Sequence, residues 1–267
     1  MLTITSLALA VLFVSTKQVA HAAGGFIDYF STTWNLEESP SATSSTNTNW
    51  YLNSGGRVHT NASRLLSNQG SLPDNDRWRL AYATANSRDT DNGYHPQNLL
   101  RLLTKTTWQN SDQKIYAKIN KYNLSASPER YNPNGILLMS RYLDSSNLYY
   151  AGVRVDGNVV IKKKIAGKYY TLAEKKFYPG TYNHDTNPIL LPINKWIGVR
   201  TVVTNLPDGK VNIKLYVDQG WTGNWTLVLE TTDDNVTNGA AITKAGANGL
   251  RTDFMDIEAD QYSVTGF

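Results

Sequence analysis

The chain has 267 residues, with 26 Lys and Arg against 22 Asp and Glu, and it contains no cysteine. Only 18% of it is charged and the formal charge is +4, so it lacks the long basic stripe that a nucleic-acid partner requires. The missing cysteines exclude disulfide staples, thiolate metal sites and a cysteine nucleophile, and leave stability to an apolar core.

Residues 1–22 read as a signal peptide. The apolar run over 7–14 is too short to span a bilayer, and Ala20-His21-Ala22 fits a small-x-small cleavage site. The expectation is an exported, soluble chain with one domain over 23–267, no nucleic-acid partner and no stable membrane insertion. A first strand is predicted over 26–30, followed by a polar loop over 39–49. Strands are predicted over 50–58 and 78–84, with turns at Gly55-Gly56 and Pro73-Asp74, and 86–96 is turn-rich. The apolar run over 99–107 suits a strand or a helix, its Thr-rich end favouring strand; 115–122 and 135–142 alternate. The clearest hairpin joins 148–155 to 159–165 through Asp156-Gly157, and Ala166-Gly167 turns the chain into 169–173. Further strands are expected over 196–204, 211–218 and 225–231.

The last strand, over 254–264, puts Met255, Ile257 and Ala259 on one face and Asp256, Glu258 and Asp260 on the other. Carboxylates in such a row repel one another unless water, a cation or a chemical task holds them. Many short strands with frequent turns and no long amphipathic helix predict an all-β, antiparallel β-sandwich of jelly-roll type, its first and last strands adjacent.

Several stretches together resemble the laminin-G-like, concanavalin A-like jelly-roll domains of exported microbial proteins. They are Phe26-Ile27-Asp28-Tyr29-Phe30 with Trp34, Tyr149-Tyr150-Ala151-Gly152-Val153-Arg154 with Asp156-Gly157, and Gly167-Lys168-Tyr169-Tyr170. Asn194-Lys195-Trp196, Leu215-Tyr216-Val217-Asp218 and Asp260-Gln261-Tyr262-Ser263-Val264 complete them. The resemblance implies the scaffold. That superfamily holds lectins, carbohydrate-binding modules, glycoside hydrolases and polysaccharide lyases, so activity must be argued from a site. Two narrower likenesses exist. Asp256-Ile257-Glu258-Ala259-Asp260 is similar to the alternating carboxylates of jelly-roll glucanases, with the residue types shifted. The stretch over 176–184 is similar to an aromatic strand of jelly-roll alginate lyases, whose Arg-x-Glu-x-Arg and Gln-x-His strands are not present.

Seven Trp and sixteen Tyr in a polar, weakly charged chain suit carbohydrate, because flat rings cover sugar faces while amides and hydroxyls bond their edges. Alternation on the 148–155 strand sends Ala151, Val153 and Val155 to the core and Tyr150 and Arg154 to the other face. Tyr150, Arg154, Trp221 and Trp225 are therefore the expected ligand-binding residues, and Arg154, Tyr182 and His184 the expected catalytic set of a lyase. Trp50, Tyr51 and Trp108 are expected in or near the core. No cofactor is expected, although Asp74-Asn75-Asp76 and Asp89-Thr90-Asp91-Asn92 offer oxygen atoms at spacings that calcium uses. Acceptor sequons begin at Asn61, Asn123, Asn224 and Asn235. Nothing resembles a nucleophile elbow, so a Ser-His-Asp hydrolase has no support in the sequence. The readings that remain are a secreted lectin-like protein contacting polysaccharide or surface glycan, a polysaccharide lyase or glycoside hydrolase, and a structural subunit that self-associates along a sheet edge.

Overall fold

A computed structural model describes residues 24–267. The predicted leader and its cleavage site lie outside the described residues. Within them the chain is an all-β, antiparallel sandwich of two sheets, consistent with a jelly-roll, concanavalin-like architecture. Writing the strands β1 to β16 in chain order, the larger sheet runs β14-β13-β12-β7-β16-β5-β4-β2, with β1 also paired to β16. The smaller runs β11-β10-β9-β8-β15-β6-β3.

Alternation decides which faces meet. In β13 (Val211–Gln219), Val211, Ile213, Leu215 and Val217 are buried between the sheets while Asn212, Lys214 and Tyr216 face outward. In β9 (Asn147–Arg154), Tyr149, Ala151 and Val153 enter that same core, and Leu148 and Tyr150 join a second apolar cluster on the outer face of the smaller sheet. Trp50 anchors the main core, its ring 4.7 Å from that of Tyr262 in an edge-on contact. Trp50, Tyr51 and Trp108 are all buried, as expected.

One buried pair is polar. Lys163, fully enclosed on β10 (Asn158–Ile165), places Nζ 2.8 Å from Asp233 Oδ2 at the end of β14 (Thr226–Asp233). The Tyr149 hydroxyl donates to the same oxygen at 2.6 Å, and burial together with that carboxylate raises its pKa. The run Lys162-Lys163-Lys164 is thus not one basic patch, since its middle member points inward.

The two ends of the described chain meet. β1 (Gly25–Asp28) pairs antiparallel with β16 (Met255–Gly266), Phe26 opposite Val264. The segment predicted as a strand over 50–58 is two strands, one in each sheet. β3 (Trp50–Ser54) belongs to the smaller and β4 (Arg57–Asn61) to the larger, and the chain crosses at Gly55 (φ 116°) and Gly56 (φ 76°).

A second crossing carries the main correction. The strand predicted over 78–84 is a helix, α1 (Arg77–Ala85), in the excursion between β5 (Arg64–Ser67) and β6 (Leu99–Trp108). Asp76 caps it, its side chain accepting from Trp78 N at 2.8 Å, and Leu and Ala favour helix within it. Only Tyr82 of this helix is buried, so no apolar stripe announces it in the sequence. β15 (Gly246–Asp253) is also missed by patterning, because buried Asn248 interrupts the alternation at a bulge, where its amide nitrogen donates to Ser111 Oγ.

Candidate functional site

The outer face of the smaller sheet carries a pocket of about 80 Å³. Its floor is the apolar cluster containing Met139, Leu148 and Tyr150. Above this floor stand Arg251 on β15, Lys164 on β10 and Tyr169 on β11 (Lys168–Lys176), with Arg101 of β6 at the side. The strand order sets β10 beside β9 with β11 beyond it and β15 beside β8, so residues far apart in the chain converge on one concavity.

Its electrostatics are cationic and aromatic. The Arg251 guanidinium lies 5.7 Å over the Tyr150 ring, and the rings of Tyr150 and Tyr169 meet edge-on at 6.1 Å. Lys164 Nζ sits 4.5 Å over the Tyr169 ring. Burial would raise the pKa of the Tyr169 phenol, but Arg251 and Lys164 beside it outweigh that and hold it below the ordinary tyrosine value. Asp253 Oδ1 accepts from Arg251 Nε at 2.9 Å, whereas its buried Oδ2 has no hydrogen-bond partner among the described residues. A buried acceptor without a donor is costly, so this oxygen leaves unused hydrogen-bonding capacity beside the pocket.

Of the residues expected from sequence, Tyr150 lines this pocket. Arg154 does not stand free, although it shares an outward register with Tyr150. It is 4% exposed, and its nitrogens reach Asp156 Oδ2 at 2.6 Å, Glu174 Oε2 at 2.7 Å and the Asn132 carbonyl at 3.2 Å. The tight Asp156-Gly157 turn folds its own carboxylate back onto the guanidinium. Tyr182 packs against the main core with its hydroxyl buried and without a hydrogen-bond partner among the described residues, and burial raises its pKa. His184 is exposed, with Nδ1 2.6 Å from Asp185 Oδ1, and its carbonyl accepts from Arg130. No hydrogen bond joins any two of Arg154, Tyr182 and His184 among the described residues, although Asp156, which binds Arg154, and Asp185, which binds His184, both lie near enough to act on the Tyr182 phenol.

Trp221 and Trp225 lie on the opposite side of the molecule, over the outer face of the larger sheet. Asp218 shapes their turn, accepting from Thr222 N at 2.9 Å, Gly223 N at 2.8 Å and the Tyr116 hydroxyl at 3.0 Å. Trp221 stacks on Tyr116 with centroids 4.9 Å apart and meets Trp196 edge-on, and the Arg64 guanidinium covers both Trp221 and Trp196.

The three carboxylates of β16 are each engaged by protein. Asp256 accepts from Gly70 N at 2.7 Å, Gln97 Nε2 at 2.8 Å and Asn123 Nδ2 at 3.0 Å. Glu258 pairs with Lys118 at 2.9 Å, and Asp260 with Arg64. The loop acids suggested for calcium are likewise occupied. Asp76 caps α1 and pairs with Arg57, Asp74 accepts from Tyr94, and Asp89 from Ser127. Among the described residues no group of three or more acidic, His or Cys side chains is arranged to hold a metal ion. Asn123 is buried with its amide committed, whereas Asn61, Asn224 and Asn235 are exposed.

No protein-family model matches this chain, and no curated protein sequence does. Solved structures match the fold. The carbohydrate-binding module CBM66 from Bacillus subtilis superposes with a TM-score of 0.50 at 16% identity, covering 83% of this chain and 98% of the module. A β-glucanase from Bacillus licheniformis gives 0.46 at 13% identity, covering 92% and 99%. At such identities the likeness shows the sandwich and nothing of what it binds.

Proposed function

We propose that this chain is a secreted carbohydrate-binding sandwich that takes an anionic sugar into the Tyr150–Tyr169–Arg251 pocket. The observation that carries this reading is the convergence of Arg251 and Lys164 with two tyrosine rings around the orphaned Asp253 Oδ2. A guanidinium and an ammonium meet a sugar carboxylate, the rings cover an apolar sugar face, and Asp253 accepts from a ring hydroxyl. The Trp221 and Trp225 platform supports a second, weaker contact on the far side. No helix among the described residues is long and apolar enough to cross a membrane. The proposed place of work is outside the cell, on polysaccharide or surface glycan.

Calorimetric titration of the chain with a polyuronate and with a neutral glucan tests this. Binding to the polyuronate is expected, and Lys164→Ala with Arg251→Ala should weaken it by roughly tenfold to a hundredfold, the worth of charge-assisted hydrogen bonds. Undiminished binding by the double variant, or preference for the neutral glucan, would remove the pocket from consideration.

One observation favours a lyase as the second reading. Tyr169, with its pKa lowered beside two cations, suits a base that takes the proton next to a neutralised uronate carboxylate. Under this reading the chain generates unsaturated, ultraviolet-absorbing ends in the polyuronate, and Tyr169→Phe stops that while leaving binding in place. Absorbance that stays flat with bound polyuronate selects the lectin-like reading.

A further inference from the structure

The excursion between β5 and β6 brings together three residues that no sequence pattern links. Ser71 Oγ lies 3.1 Å from His95 Nε2, and His95 Nδ1 lies 2.8 Å from Asp91 Oδ2. With Nδ1–H donating to the carboxylate, Nε2 is left as the acceptor for the serine hydroxyl, which is the tautomer a general base needs. The order nucleophile, base, orienting acid is thus satisfied through hydrogen bonds alone. We propose that Ser71, His95 and Asp91 form a hydrolytic site for small acyl esters.

The surroundings support a built site rather than a chance meeting. The acid is fixed from two further directions, its Oδ1 accepting from Ser125 Oγ and its Oδ2 from Asn98 Nδ2 at 3.4 Å. Both arms of the loop are clamped to one carboxylate of β16. Gly70 N, immediately before the serine, and Gln97 Nε2, just past the histidine, both donate to Asp256, and Gln97 Nε2 also reaches the Gly70 carbonyl at 3.0 Å. The acid sits in a tight left-handed turn, with Asp91 at φ 52° and Asn92 at φ 57°, followed by Gly93 at 84°. Gly93 is needed because a Cβ there would sit 1.9 Å from the Arg79 carbonyl of α1, so the acid loop packs hard against the helix.

Ser71 is exposed, and the space beside Gly70 is open, so an ester presented on a large polymer can reach the hydroxyl. The backbone N–H of Ser71 makes no hydrogen bond among the described residues and is available to a developing oxyanion. In the first step Ser71 Oγ bonds to the ester carbonyl carbon while His95 Nε2 takes the hydroxyl proton. The carbon–oxygen bond to the alcohol then breaks, and His95 returns that proton to the departing oxygen. Water repeats the sequence on the acyl-serine, releasing the carboxylic acid and restoring the hydroxyl.

Hydrolysis of p-nitrophenyl acetate, with mass-spectrometric mapping of a fluorophosphonate label, is the test. The wild-type chain should turn the ester over and carry the label on Ser71. Ser71→Ala, a change at an exposed side chain, and His95→Gln should each lower kcat/KM by about a hundredfold or more. Asp91→Asn should lower kcat with KM little changed and slow the labelling of an intact Ser71. Arg251→Ala should leave all of this untouched, which separates the site from the glycan pocket. Turnover equal in wild type and Ser71→Ala, or label found elsewhere than Ser71, would overturn the proposal.

Discussion

Lys163→Ala is expected to be the most damaging single substitution in the sandwich, costing about 3–5 kcal/mol. Lys163 is 0% exposed and Asp233 2%, so removing the ammonium leaves an ionised carboxylate inside the protein with only the Tyr149 hydroxyl and backbone for company. The carbonyls of Gly239 and Ala240, which accept from Nζ at 2.9 and 3.3 Å, lose their donor as well. For a chain of this size the loss corresponds to a fall in Tm of about 10 °C. Lys164→Ala, one position along and facing out, should cost less than about 1 kcal/mol. Urea denaturation of the two variants makes the comparison; equal midpoints would show that the buried pair contributes nothing beyond its volume.

Arg154→Ala should cost about 3 kcal/mol and leave the proposed polyuronate binding unchanged in the molecules that stay folded. The guanidinium ties the Asp156 turn to Glu174 of β11 and to the Asn132 carbonyl. The bond to Glu174, whose side chain is 33% exposed, is screened and carries the smaller share. Patterning on β9 alone suggests the reverse, a free arginine beside Tyr150. A denaturation midpoint close to wild type together with lost polyuronate binding would return Arg154 to the role that patterning assigns.

These two lysine and arginine positions show what is legible in a sequence of this class. Strict alternation placed Ala151, Val153 and Val155 inward and located most strands to within a few residues, because a period of two is a property of the backbone. Alternation specifies a face, however, and not what covers it. Arg154 faces outward and is enclosed by a turn; Lys163 faces inward and is paired by a strand from the other sheet. The helix α1 was hidden because it buries one side chain and relies on the Asp76 cap. Tyr150 was within reach of patterning, whereas Arg251 and Asp253 were not, since β15 lacks the alternation that would mark it as a strand. Ser71, His95 and Asp91 were invisible for a different reason. Their meeting depends on how Asp256, from the far end of the chain, pins a loop with no regular structure.

The placement of β15 and β16 has a consequence for how such a chain folds. β15 separates β8 from β6 and β16 separates β7 from β5, with Phe254 turning the chain between them. Both sheets therefore receive a central strand from one continuous segment, β15–β16. Without it, each sheet exists as two halves with no ladder between them, and β1 has no partner. The hairpins β8-β9-β10-β11 and β12-β13-β14 can form locally, whereas every pairing made by β15 and β16 spans a large stretch of chain, and such non-local contacts come late and slow folding. In a chain of this topology neither sheet is complete until β15 and β16 dock, so these two strands close both layers in one step.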